Sequence, residues 1–151
     1  VGTGFMVGSP WQTMANLLED LAFIRELQPQ MIGIGPFIPH HATPFKNYPA
    51  GTLEQTLTLL SVLRLMFPKV LLPATTALGT IVPNGRELGI LAGANVVMPN
   101  LSPADVRQNY LLYDNKLCSG AEAAEAKNDL AARLHSIGYE IAEGRGDYKE
   151  S

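Results

Sequence analysis

Four times along the chain a short apolar run gives way to a long, chemically varied segment and then to a stretch of helical periodicity, and this alternation constrains the fold most. Val1 to Val7 has the composition of a strand, and Ser9-Pro10-Trp11-Gln12 predicts a helix start, with Ser9 as N-cap, Pro10 at the first helical position and Gln12 closing a capping box. Met14, Leu17, Leu18, Leu21, Ile24 and Leu27 then recur at helical spacing until Pro29. Gln30 to Ile34 is the second strand. Thr52-Leu53-Glu54-Gln55 is a capping box for a helix whose apolar face carries Leu53, Leu57, Leu60, Leu63 and Phe67, ending near Pro68. Lys69 to Pro73 is the third strand. Pro83 to Ala92 is a short helix closed by Gly93, and Asn95 to Met98 is the fourth strand. Ser102-Pro103 repeats the helix-start signal, Ala121 to Ser136 is an alanine-rich helix, and Gly138 to Ala142 is expected as a last short strand. The polar tail from Glu143 is expected to fray.

Alternation at this spacing means parallel strands joined by helical crossovers, so the fold class is α/β. Long segments follow the strands and short returns follow the helices, the asymmetry of a barrel whose site lies at the strand C-termini. A whole (β/α)8 barrel takes about 250 residues and eight units. With 151 residues and four units, the expected architecture is a half TIM-type barrel, at 1–118, followed by a C-terminal helix and polar tail at 119–151. The sequence begins at Val1, inside an apolar segment, which leads to the expectation of further chain upstream.

Composition narrows the function classes. Apolar residues make up 46% of the chain, sufficient for a core. Eleven basic against fourteen acidic residues give a net charge of −3 without a basic run, so nucleic acid is not an expected partner. No apolar stretch reaches the roughly 20 residues of a membrane span, and no signal-peptide pattern opens the chain, so a cytoplasmic location is expected. The single cysteine, Cys118, excludes an internal disulfide or an all-cysteine metal site built from this chain alone.

The strand ends carry GFMVGSP at 4–10, GPFIPHHATP at 35–44, PATTALGT at 73–80 and VVMPN at 96–100, the last leading to Tyr110 and Tyr113. Together they offer hydroxyls at Thr75, Thr76 and Thr80, thioethers at Met6, Met31 and Met98, stiff prolines and aromatic faces, with almost no charge. No carboxylate pair and no Ser-His-Asp arrangement stands out, which disfavours hydrolysis and leaves no catalytic residue assigned. An apolar pocket with a few hydroxyls suits a bulky cofactor that brings its own chemistry. The rival readings are structural. The methionines also suit core filling, and Thr75 and Thr76 also suit bonds to nearby backbone. His40 and His41 read as loop residues and no metal ligand is assigned, because neighbours on a strand diverge and no third ligand stands close in sequence. Arg86 and Glu87 are expected to form a structural ion pair.

The stretches MIGIGPFIPHHATPF, PATTALGTIVPNGRE and GANVVMPNLSP resemble the second-half barrel loops of the HydE-type radical S-adenosylmethionine maturases of [FeFe] hydrogenase, in the wider group that contains biotin synthase. The likeness runs from about Val1 to Cys118. It implies a (β/α)8 barrel in which a [4Fe-4S] cluster cleaves S-adenosylmethionine to a 5'-deoxyadenosyl radical. The implied substrate is a small iron-carbonyl-cyanide cysteine complex, and the implied partners are other hydrogenase maturation proteins. By the same resemblance, Met6, Met31, Pro36, Ile38 and Tyr110 contact the cofactor, and Thr75, Thr76, Met98 and Tyr113 line the substrate pocket. Trp11 stands where many such enzymes keep a glutamate. The loop at 35–44 becomes a rigid apolar wall for the adenosyl group.

The family's CxxxCxxC motif is not in this sequence, so the chain alone is expected to be inactive and to need an N-terminal half-barrel. Cys118 resembles the first ligand of an auxiliary cluster, but Ala126 and Asp129 occupy the places of its companions, and no auxiliary cluster is expected. Unpaired strand edges lead to the expectation of self-association. Two alternatives stay open: a related mutase of the methylornithine synthase kind, and a non-catalytic half-barrel that binds a ligand or partner.

Overall fold

The computed structural model describes residues 1–99, 114–115 and 123–149. The elements are β1 (Gly2–Val7), α1 (Met14–Leu27), β2 (Met31–Pro36), α2 (Leu53–Met66), β3 (Pro73–Ala74), α3 (Thr76–Ile81), α4 (Gly85–Leu91), β4 (Val96–Val97) and α5 (Ala123–Ser136). β1 pairs with β2 in parallel, from Gly2 opposite Met31 to Val7 opposite Pro36, and β3 pairs with β4 in parallel. A parallel bridge between Met31 and Leu71 joins the two pairs, so the strands follow one another in chain order. This is an α/β fold of parallel strands with intervening helices, arranged as an unclosed, barrel-like stretch.

The strand pleat decides which residues meet the helices. On β2, Ile32, Ile34 and Pro36 are buried while Met31, Gly33 and Gly35 alternate with them. Ile32 and Ile34 join Val7, Leu72 and Ala74 in a core closed by Leu17 and Ile24 of α1, Leu60 and Leu63 of α2, Leu78 of α3 and Ile90 of α4. Leu130 and Leu134 of α5, one turn apart, are buried in the same cluster. Thr56 is also buried, and its hydroxyl donates to the Thr52 carbonyl at 2.8 Å, so it costs no unsatisfied group. Among the described residues no helix is long and apolar enough to cross a membrane.

Several sequence expectations need correction. α1 begins four residues later than the Ser9-Pro10 signal indicates: Thr13 is the N-cap, in a capping box with Asn16. Ser9 to Gln12 instead form a turn, with Trp11 at φ 64°, and the Gln12 amide is tied to the end of β1. Its Nε2 donates to the Met6 carbonyl at 2.9 Å, and its Oε1 accepts from the Gly8 N–H at 2.7 Å. The segment after β3, read as a loop, contains α3. Residues 138–142 form no strand; Gly138 sits at φ 82° and Tyr139 and Ile141 are exposed. The helix expected after Ser102, together with Tyr110, Tyr113 and Cys118, lies outside the described residues. The Thr52 cap, the stop before Pro68 and the left-handed Gly93 at φ 115° are as expected.

Candidate functional site

The strand faces turned away from the helices line an open cavity of about 950 Å³, within the size range of small-molecule sites. Glycines make the room. Gly4 and Gly33 face each other in register, yet for different reasons. A Cβ on Gly4 would stand 1.9 Å from the Gly33 carbonyl oxygen, so close strand approach requires glycine there. A Cβ on Gly33 would meet nothing within 4 Å; it would point into open space. Gly35 is again a packing requirement, since its Cβ would lie 2.6 Å from the Thr75 hydroxyl oxygen.

All seven of the described residues given a cofactor or substrate role by the resemblance line this one cavity: Met6, Met31, Pro36, Ile38, Thr75, Thr76 and Met98. They come from β1, β2, the segment after β2, the start of α3 and the segment after β4. Tyr110 and Tyr113 lie outside the described residues. Phe5, Phe37, Thr43 and Phe45 also line the cavity and were not singled out, and so does His40, which the sequence marks only as a loop residue. The signal that could have found the cavity is the G-x-G spacing on two neighbouring strands, Gly2 and Gly4 against Gly33 and Gly35.

Polarity is scarce in this lining, which gives Thr75 weight. Its Oγ1 is buried and has no hydrogen-bond partner among the described residues, and as N-cap of α3 it makes no side-chain cap bond. A buried hydroxyl without a partner costs about 1–3 kcal/mol. It packs against Gly35, and a turn of the Thr75 side chain would present it at the cavity wall, where it suits a polar group of a ligand.

The segment from Phe37 to Gly51 is pinned as a rigid wall. The Phe37 N–H donates to the Val7 carbonyl at 2.8 Å, and the Gly51 N–H donates to the Phe37 carbonyl at 2.8 Å. Between these anchors, turns run from His40 to Thr43, Thr43 to Lys46 and Phe45 to Tyr48. Outside them Trp11, Phe37, Phe45 and Tyr48 form edge-to-face contacts, with ring centroids 5.3–6.4 Å apart. Prolines at 36, 39, 44 and 49 further limit backbone freedom.

His40 and His41 do not diverge. They occupy a turn and not a strand, and their rings stack at 4.3 Å with 26° between planes. Asp114, distant in sequence, stands beside them: His41 Nδ1 is 2.7 Å from its Oδ1, and the His41 N–H donates to its Oδ2 at 2.9 Å. The hydrogen bond from His41 holds the Asp114 carboxyl below its ordinary pKa. Glu87 is likewise not paired as expected. Its carboxylate meets Arg133 of α5 through Nε and, at 2.9 Å, through Nη2. Arg86 is half-buried beside this pair, and desolvation, followed by the neighbouring Arg133 charge, lowers its pKa.

No family model matches the chain. Among curated proteins, the chain is 50% identical over 117 residues to the [FeFe] hydrogenase maturase subunit HydE of Thermotoga maritima, covering 78% of this chain and 34% of that protein. It is 37% identical over 89 residues to the 3-methylornithine synthase of Methanosarcina barkeri, covering 59% of this chain and 25% of the relative. The 3-methylornithine synthase of Methanosarcina acetivorans is 28% identical over 127 residues, covering 84% of this chain and 35% of the relative. The chain thus spans about a third or less of the length of each of these relatives.

Proposed function

The chain belongs to the family of HydE, the [FeFe] hydrogenase maturase subunit, and we propose on that footing that it forms the adenosyl and substrate walls of a radical S-adenosylmethionine enzyme of hydrogenase maturation. The observation that carries the proposal is the convergence of seven residues from five segments on one apolar cavity with a buried, unpartnered hydroxyl.

The lining suits S-adenosylmethionine. Met6, Met31, Pro36 and Ile38 offer an apolar surface for the adenosyl part, with Tyr110 as a further contact. Thr75, Thr76 and Met98 face the substrate side, with Tyr113 beside them, and Thr75 Oγ1 can donate to a carboxylate or another acceptor. The substrate class is a small iron-carbonyl-cyanide cysteine complex. When bound, S-adenosylmethionine supplies a carbon radical. The task of this chain is then to hold the adenosyl group against a stiff wall and to exclude water. The [4Fe-4S] cluster does not fit here, since no cysteine is among the described residues that line the cavity; its ligands are proposed to reside in an N-terminal half-barrel that completes a (β/α)8 barrel. The first unit, 1–118, is the barrel part and 119–151 the helix and tail. Other hydrogenase maturation proteins are the proposed partners, and the cytoplasm the proposed location.

The identity to two 3-methylornithine synthases favours one second reading, a mutase of that kind. The test is formation of 5'-deoxyadenosine by the reconstituted enzyme carrying this chain, with the iron complex as substrate, beside an assay of the same enzyme for 3-methylornithine. Turnover coupled to the iron complex supports the maturase reading. Formation of 3-methylornithine supports the mutase, and neither product nor 5'-deoxyadenosine in either assay overturns both.

A further inference from the structure

Three ligating side chains meet at the rim of the cavity, outside the lining that the proposed function uses for the adenosyl group. His40, His41 and Asp114 each present a ligand atom, and all three atoms lie within 4.8 Å of one another. The arrangement is anchored by backbone. The Asp114 N–H donates to the Pro39 carbonyl at 3.2 Å, and Asp114 Oδ2 accepts from the His41 N–H at 2.9 Å. Its other oxygen, Oδ1, is 2.7 Å from His41 Nδ1. A clasp between the two segments needs only one histidine; the second places another ring nitrogen within 4.8 Å of the same carboxylate.

From this geometry we propose that His40, His41 and Asp114 bind a divalent first-row transition ion of the zinc class at the rim of the cavity, with solvent completing its coordination. Two imidazoles and one carboxylate form a donor set that such ions accept, and three protein ligands leave a position open to exchange. An ion held at about 2.0–2.2 Å from each donor sets the donors about 3–3.5 Å apart. The group therefore has to close where it is wide and open where His41 and Asp114 touch. Binding at His41 Nδ1 moves the ring proton to Nε2, on a side chain that is 76% exposed and open to proton exchange. The His40 Nδ1 bond from the Ala42 N–H, 3.1 Å long, is given up for the ion or for the ring proton. The segment is otherwise stiff, so these changes stay local to the rings and the carboxylate.

The site is independent of whether the cavity holds S-adenosylmethionine. Its test is titration of Co²⁺ into the full chain, followed by visible absorption with Zn²⁺ as competitor. The expected result is one Co²⁺ per chain, displaced by Zn²⁺, without a thiolate-to-cobalt band. His41→Ala and Asp114→Asn are each expected to weaken binding by about tenfold or more, whereas His135→Ala, on α5, keeps the parental affinity. His41 is exposed, so its variant keeps the fold even where Asp114→Asn loosens the clasp. Parental affinity in His41→Ala, or a thiolate band that places Cys118 at the ion, overturns the proposal.

Discussion

At the scale of single residues, two glycines opposite each other in register separate structure from function. Gly33→Leu is expected to fill the cavity and leave the fold intact, changing stability by about 1 kcal/mol or less, because a strand glycine is itself unfavourable. Gly4→Ala pushes a methyl group into a backbone carbonyl and is expected to cost about 1–3 kcal/mol. Urea unfolding of both variants checks the contrast, and equal losses contradict it. Thr75→Val has opposite effects on stability and binding: removing a buried hydroxyl without a partner is expected to raise stability by about 1 kcal/mol while weakening the ligand that the hydroxyl serves. Calorimetric binding beside thermal unfolding shows whether the two move in opposite directions. Of these residues, Thr75 was legible from sequence as a hydroxyl at a strand end, but nothing local reveals that its hydroxyl lacks a partner. His41 was legible only as a loop residue, because Asp114 lies 73 positions away.

At the scale of elements, local signals succeeded where one short motif decides the conformation. Thr52 caps α2 as its spacing indicates, and Gly93 takes the left-handed turn after α4. They failed where a tertiary contact decides. Ser9-Pro10 has the residue types of a helix start, but the Gln12 amide holds that segment as a turn against β1. The helix starts instead at Thr13, whose box uses Asn16 and not the usual Glu or Gln. α3 is rich in threonine and contains a glycine, so propensity argues against it; it forms with Leu78 fully buried in the core. The Glu87–Arg133 pair joins α4 to α5 across 46 positions, beyond any local pattern. Glu87 is 9% exposed and Arg133 30% exposed as side chains. Arg133→Met is expected to cost about 2–4 kcal/mol, near the lower end for a broken buried pair because the arginine is partly solvated. A double-mutant cycle with Glu87→Gln checks this, since unpaired Glu87 is the source of the loss. Additive single effects contradict it.

For the whole molecule, the alternation of strands and helices was enough to establish parallel strands in chain order, because that pattern leaves few other topologies. It could not establish the cavity, which depends on glycines of two strands falling into one register. Among the described residues β1 has no strand on its outer edge, and Met6 and Met98, which line the cavity, are 58% and 53% exposed. An open edge beside an apolar surface favours association. The chain produced by itself is therefore expected to self-associate as its concentration rises, and a single monomeric species throughout an analytical ultracentrifugation series contradicts that expectation.

Gly33 is where occupation of the cavity by the adenosyl group is most directly tested, because its missing side chain leaves space without supporting a neighbour. The decisive measurement is the dissociation constant of S-adenosylmethionine for the cluster-reconstituted enzyme carrying this chain, before and after Gly33→Leu, with circular dichroism and thermal unfolding in parallel. Affinity is expected to fall by about tenfold or more, which is about 1.4 kcal/mol or more, with the fold and thermal midpoint retained. Unchanged affinity in a folded Gly33→Leu enzyme contradicts it and places the adenosyl group elsewhere.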